Sequence, residues 1–65
     1  MSKNKMREIR KSKGITLEEL SISTGISIGY LCHLEKGTRT NPSMQIMESI
    51  AKGLNKTVIE TFFGV

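Results

Sequence analysis

An all-α chain of five short helices is the fold class predicted by these 65 residues, and three observations carry the prediction. Capping residues (Thr16, Ser27, Thr57) precede stretches of helical apolar spacing, and Gly14, Gly25, Gly37 and Asn55 stand where such stretches must stop. The β-branched residues never alternate over more than a few positions, so no strand competes. Residues 16–36 read as helix, glycine turn and helix with almost no connecting chain.

The first helix is expected over about residues 3–13. It turns Met6 and Ile9 inward amid Lys, Arg and Glu. Lys11 and Lys13 lie near its C-terminal end, where cations suit the helix dipole, and Gly14 supplies a left-handed stop. Thr16 and Glu19 form a capping box for the second helix, which ends at Gly25. Ser27 caps the third, which ends at Gly37. Residues 38–42 form a polar loop in which Pro42 biases Asn41 away from helix. Either Asn41, with Pro42 in the first helical position, or Ser43 caps the fourth helix. There Met47, Ile50, Ala51 and Leu54 form a buried stripe, Met44 and Met47 are both expected in the core, Gly53 weakens the end, and Asn55 can take the left-handed stop. Thr57 and Glu60 make a second capping box ahead of Val58, Ile59, Phe62 and Phe63. Neighbouring helical residues point about 100° apart, so one of the two phenylalanines should stay on the surface. That apolar patch suggests self-association through the last helix and the end of the fourth.

The length fits one domain over 1–65, with its central helix pair at 16–36. A domain this small buries only roughly 60% of its unfolded surface, so helix packing and a partner copy must stabilise it. Cys32 stands alone, which excludes an internal disulfide and a thiolate zinc set and suits a reducing cytoplasm. No apolar run approaches the roughly 20 residues of a membrane span, and no secretory signal is expected at the start. Ten Lys and Arg against six Asp and Glu give a net charge of +4, which suits a polyanion.

In residues 16–36, Leu20, Ile26, Leu31 and Leu34 are apolar where two helices share a core, Ser21 is small where they cross, and Gly25 reverses the chain. This spacing is that of a helix-turn-helix unit, whose second helix enters the DNA major groove. With Leu31 and Leu34 inward, Ile28, Gly29, Cys32, His33 and Lys36 face outward, flanked by Tyr30 and Glu35. Base contacts are expected from Ser27, Ile28, Gly29, Cys32 and His33. Ile28 can pack on a thymine methyl, His33 can hydrogen-bond a base edge, and Gly29 permits close approach. Phosphate contacts are expected from Thr16, Tyr30, Lys36, Thr38, Arg39, Thr40 and Ser43, including free amides at helix starts. Cys32 and His33 are adjacent and point about 100° apart with no third ligand near, so neither a metal site nor a nucleophile–base pair is expected. No catalytic residue and no cofactor are expected. The rival reading is a protein-interaction module of antitoxin or anti-repressor type, motivated by the poor hydrogen-bonding capacity of Ile28, Gly29 and Cys32.

The segments Ile9–Leu20, Gly25–Ser27, Leu34–Gly37 and Asn41–Leu54 together resemble the phage Cro/repressor-like helix-turn-helix family, also called the XRE family. Residues 27–31 and 40–43 are most similar to its SinR-type subgroup. The resemblance covers roughly residues 6–63. It implies a compact five-helix, lambda-repressor-like domain of bacterial, phage or mobile-element origin. Such a domain binds operator DNA, often palindromic, as a homodimer and commonly acts as a repressor, here with control left to abundance or to a separate antagonist protein. It also implies a structural ion pair between Arg10 and Glu35. Many members carry Gln at the position of Leu17, where it touches a phosphate. Leu17 cannot do so, and the outward stripe lacks the Gln, Arg and Lys of other members.

Overall fold

The computed structural model describes residues 4–63. It contains α1 (Met6–Ser12), α2 (Leu17–Thr24), α3 (Ile28–Lys36), α4 (Met44–Gly53) and α5 (Val58–Phe62), the five helices expected. Of the expected start of α1, residue 3 lies outside the described residues. The helix itself begins at Met6, whose amide donates to Asn4 Oδ1 at 3.1 Å. The Asn4 amide group donates in turn to Leu34 O at 3.1 Å, and Lys5 N donates to Thr61 O at 2.8 Å. The entry to α1 is thereby tied to the end of α3 and to α5.

The capping chemistry follows the sequence. Thr16 and Thr57 each accept from the amide three residues on, and Glu19 and Glu60 reach back to the capping amides at 2.9 Å. The bonds from the Thr57 amide and hydroxyl hold the Glu60 carboxyl below its ordinary range. Ser27 caps α3, and Ser43, not Asn41, caps α4. Asn41 instead takes a left-handed φ of 55°, which turns the chain just before Pro42. Asn55, at φ 58°, closes α4 and lets Lys56 N reach Ala51 O at 2.9 Å.

Met6, Leu20, Leu31, Leu34, Ile50 and Leu54 form the core, and Ile9, Ile15, Leu17, Ile26, Tyr30, Ile46 and Phe62 pack around it. The expectation for the methionines of α4 needs correction, whereas one of the two phenylalanines, Phe63, stays on the surface as expected. Met44 is exposed, because it is the first residue of α4 and precedes the buried stripe, while Met47 is half-buried. In α5 the inward positions are Val58, Thr61 and Phe62, so Ile59 and Phe63 share the outer side. Thr61 is fully buried because its hydroxyl donates to Thr57 O at 2.8 Å and leaves only its methyl to pack.

The turn between α2 and α3 satisfies its own polar groups. Gly25 adopts φ 75° and its amide donates to Ser21 O at 2.8 Å. The Ser21 hydroxyl donates to Ile26 O at 2.6 Å, so its small size serves the turn as well as the crossing. Thr24 Oγ1 donates to Leu20 O at 2.7 Å and accepts from Ile26 N at 3.2 Å, which fixes the Thr24 rotamer.

That fixed rotamer matters to α4. A Cβ on Gly53 would stand 3.0 Å from both Leu20 Cδ1 and Thr24 Cγ2. Leu20 is fully buried and Thr24 is held by its hydroxyl, so neither can step aside freely. Gly53 is therefore required by the contact between α2 and α4, a role beyond the weak helix end that its propensity indicates. Gly53→Ala is expected to lower the unfolding free energy by about 1–2 kcal/mol, overpacking outweighing the gain in helix propensity. Urea unfolding measures this directly, and an unchanged or raised midpoint would contradict it.

Candidate nucleic-acid interface

The orientation of α3 is set from its inner side. Leu31, Leu34 and Glu35 are buried there. Glu35 meets Arg10 of α1 in a bidentate pair, with Nε to Oε2 at 2.6 Å and Nη2 to Oε1 at 3.2 Å. Arg10 Nη1 also donates to Ile15 O at 2.7 Å, so one guanidinium joins α1, the turn after it and α3. The bond to Glu35 raises the Arg10 pKa above its ordinary value despite burial.

The opposite side of α3 is open. Ile28 is 44% exposed, Gly29, His33 and Lys36 are exposed, and Cys32 is half-buried at the margin of the stripe. Nothing lies within 4 Å of where a Gly29 Cβ would stand, so the fold does not require glycine there. Ser27 is exposed, and its hydroxyl accepts from Tyr30 N at 3.2 Å. Tyr30 is half-buried against the core, and the Arg39 guanidinium lies 5.4 Å from its ring centroid. Such a stack contributes about 0.5–1 kcal/mol at an exposed site and restrains where the charge sits. Thr38 Oγ1 lies 2.8 Å from His33 Nδ1 and 3.2 Å from His33 O. Thr40 is exposed in the same loop.

The two helix starts differ electrostatically. The first turn of α2 carries Glu18 and Glu19, and the Thr16 amide is already bonded to Glu19. The first turn of α4 has no acid, and the Ser43 hydroxyl is engaged with Ile46 N at 3.2 Å. The positive end of α4 is therefore left uncompensated, whereas that of α2 is opposed by carboxylates. Two contacts had no local sequence signal: the Arg39–Tyr30 stack and the Thr38–His33 bond both span the Gly37 turn, where helical periodicity stops. Among the described residues no group of His, Cys, Asp and Glu could hold a metal ion, and no helix is long and apolar enough to cross a membrane.

A second helix packed through Leu31 and Leu34, with its outer stripe bare and cations at its end, is the arrangement of helix-turn-helix proteins. The helix-turn-helix family model matches residues 6–60, and the chain belongs to this family, of the XRE type. It is 35% identical over 57 residues to the HTH-type transcriptional regulator SlrR of Bacillus subtilis, covering 88% of this chain and 38% of SlrR. It is 38% identical over 61 residues to the HTH-type transcriptional regulator DdrOP3 of Deinococcus deserti, covering 94% and 46%. Its fold matches the solved complex of SinR protein and SinI protein with a TM-score of 0.80 at 34% identity, covering 86% of this chain and 54% of that one. The chain thus spans less than half the length of SlrR and of DdrOP3. The family agrees with the sequence reading of an all-α, lambda-repressor-like fold.

Replacing Arg10 with Met would leave Glu35 buried without its counter-charge. The expected cost is about 3 kcal/mol or more, and a compensating Glu35→Leu in the same chain should return a large part of it. A double-mutant cycle by chemical unfolding checks both figures; independent, additive effects would show that the pair is not coupled.

Proposed function

We propose that this chain reads operator DNA in the major groove with α3 and acts as a sequence-specific transcriptional regulator, with repression as the mode. The observation that carries the reading is the outer stripe of α3. Ser27, Ile28, Gly29, Cys32 and His33 have no place in the core, and Lys36 and Arg39 stand at the end of the stripe. Base edges face the stripe, and phosphates face the cations around it. Arg39 presents its charge from the Tyr30 ring, Lys36 from the last turn of α3, and Thr40 and Ser43 from the loop and the uncompensated start of α4. Thr16 is the weaker candidate, because a phosphate there would meet Glu18 and Glu19.

Ile59 and Phe63 lie on the outer side of α5, 56% and 61% exposed, and offer an apolar patch for a second copy of the chain. Two copies would read the two halves of a palindromic operator, raising affinity without new side chains. Association with a separate protein, through which such a regulator could be controlled, has a parallel in the related SinR, solved in complex with SinI. The whole chain, 1–65, is read as one DNA-binding domain. Selection of bound sites from random duplex DNA tests the function, and a protein that enriches no sequence is not a sequence-specific regulator.

Two variants probe the two kinds of contact. Arg39→Ala should weaken binding to all duplexes alike and reduce the salt slope by about one contact. An altered preferred sequence with an unchanged slope would make Arg39 a base reader instead. Gly29→Ala should raise stability by about 0.5–1 kcal/mol, since the site is open and helical. The same variant should lower affinity for the selected site about tenfold, the size of one lost base-pair contact. Thermal unfolding beside fluorescence anisotropy gives both numbers, and a variant that is more stable yet binds normally would remove Gly29 from the interface.

A further inference from the structure

His33 stands on the reading stripe with one ring nitrogen already engaged. Its Nδ1 is 2.8 Å from Thr38 Oγ1, and the same hydroxyl donates to the His33 main-chain carbonyl at 3.2 Å. A hydroxyl has a single proton to give, and a carbonyl oxygen can only accept. With that proton directed to His33 O, Thr38 Oγ1 can meet Nδ1 only as an acceptor. The proton of the neutral imidazole then belongs on Nδ1, and Nε2 carries a bare lone pair. The opposite tautomer would draw the hydroxyl proton to Nδ1 and leave two oxygens facing each other at 3.2 Å with none between them.

Thr38 is itself held in place. Its amide donates to His33 O at 3.0 Å, and the Arg39 amide donates to the same oxygen at 3.2 Å. These bonds fix the Thr38 main chain against the end of α3, and the hydroxyl's own contacts with His33 O and Nδ1 select its rotamer. Among the described residues nothing bonds His33 Nε2, and the ring is exposed.

We propose that Thr38 is a positioning residue that presents His33 as the Nδ1–H tautomer, so that Nε2 reads an exocyclic amine in the major groove. The amines available there are N4 of cytosine and N6 of adenine, whereas guanine offers only acceptors. The proposal rests on the DNA-reading function above and deepens it. It gives His33 a preference for an amino base, and it takes the Thr38 hydroxyl away from the phosphates, leaving those to Lys36, Arg39, Thr40 and the start of α4.

Two measurements on the full chain test it. In the free protein at alkaline pH, nitrogen NMR of His33 should show a pyrrole-type Nδ1 and a pyridine-type Nε2, and Thr38→Val should shift the balance toward the other tautomer. A wild-type ring with its proton on Nε2 would overturn the proposal without any DNA present. On DNA, Thr38→Val should reduce discrimination at one cytosine- or adenine-bearing position by about tenfold, the size of one base-pair preference. His33→Ala should lose the same position, the double variant should lose no more, and Thr38→Ser, which keeps the hydroxyl, should restore it. The salt slope should stay constant throughout. Uniform weakening of all sequences with a slope reduced by about one would make Thr38 a phosphate contact and overturn the assignment. So would a guanine read at the position that His33→Ala loses. A wild-type protein that selects no sequence would overturn the base-reading half together with the function above. Retained selection with no change in His33→Ala would overturn this proposal alone.

Discussion

Arg10 and Glu35 place two formal charges against a small core, in which six apolar side chains among the described residues are fully buried. Such a pair is weak evidence for net stability, since desolvating both charges offsets much of their attraction. Its larger effect is on geometry. A bidentate guanidinium–carboxylate contact tolerates little rotation, and a third bond fixes the same guanidinium to Ile15 O. Glu35 adds a directional constraint to the non-directional packing of Leu31 and Leu34. The helix cannot turn about its axis without breaking that pair. The outward presentation of Ile28, Gly29, His33 and Lys36 is thus determined on the hidden side of α3.

Two glycines show how differently one residue type serves such a small structure. Gly53 has no side chain because Leu20 and Thr24 occupy the space it would need. Gly29 has empty space around it, so its cost in helix propensity is not offset anywhere inside the protein. A residue that weakens its own helix for no internal reason points outward for its explanation. The same contrast separates the two helix starts: α2 neutralises its positive end with its own carboxylates, and α4 leaves its end for something else to neutralise.

The helices were legible because their signals are local. A capping threonine and a glutamate three residues later act within one turn, as do the left-handed stops at Gly25, Gly37 and Asn55. What could not be read depends on neighbours distant in sequence or on the far side of a turn. Met44 has the composition of a core residue, but burial of α4 begins a turn later. In α5 the apolar residues outnumber the inward positions, so Ile59 is displaced outward while Thr61, by bonding its hydroxyl to Thr57 O, takes a buried place that composition assigns to an aliphatic residue. For the candidate site, the stripe itself followed from helical geometry once Leu31 and Leu34 were placed. The pairings of Arg39 with Tyr30 and of Thr38 with His33 did not, because they bridge the Gly37 turn.

The open environment of the outer stripe has an evolutionary consequence. Ile28, Gly29, His33 and Lys36 belong to no core contact, so substitutions among them cost the fold little. Mutational drift at these positions can retarget the chain to a new binding sequence without first needing a compensating change inside the molecule. A duplicated copy could therefore acquire its own set of targets in few steps. His33 is the partial exception, since a change there also strands Thr38, and the two are expected to vary together among descendants.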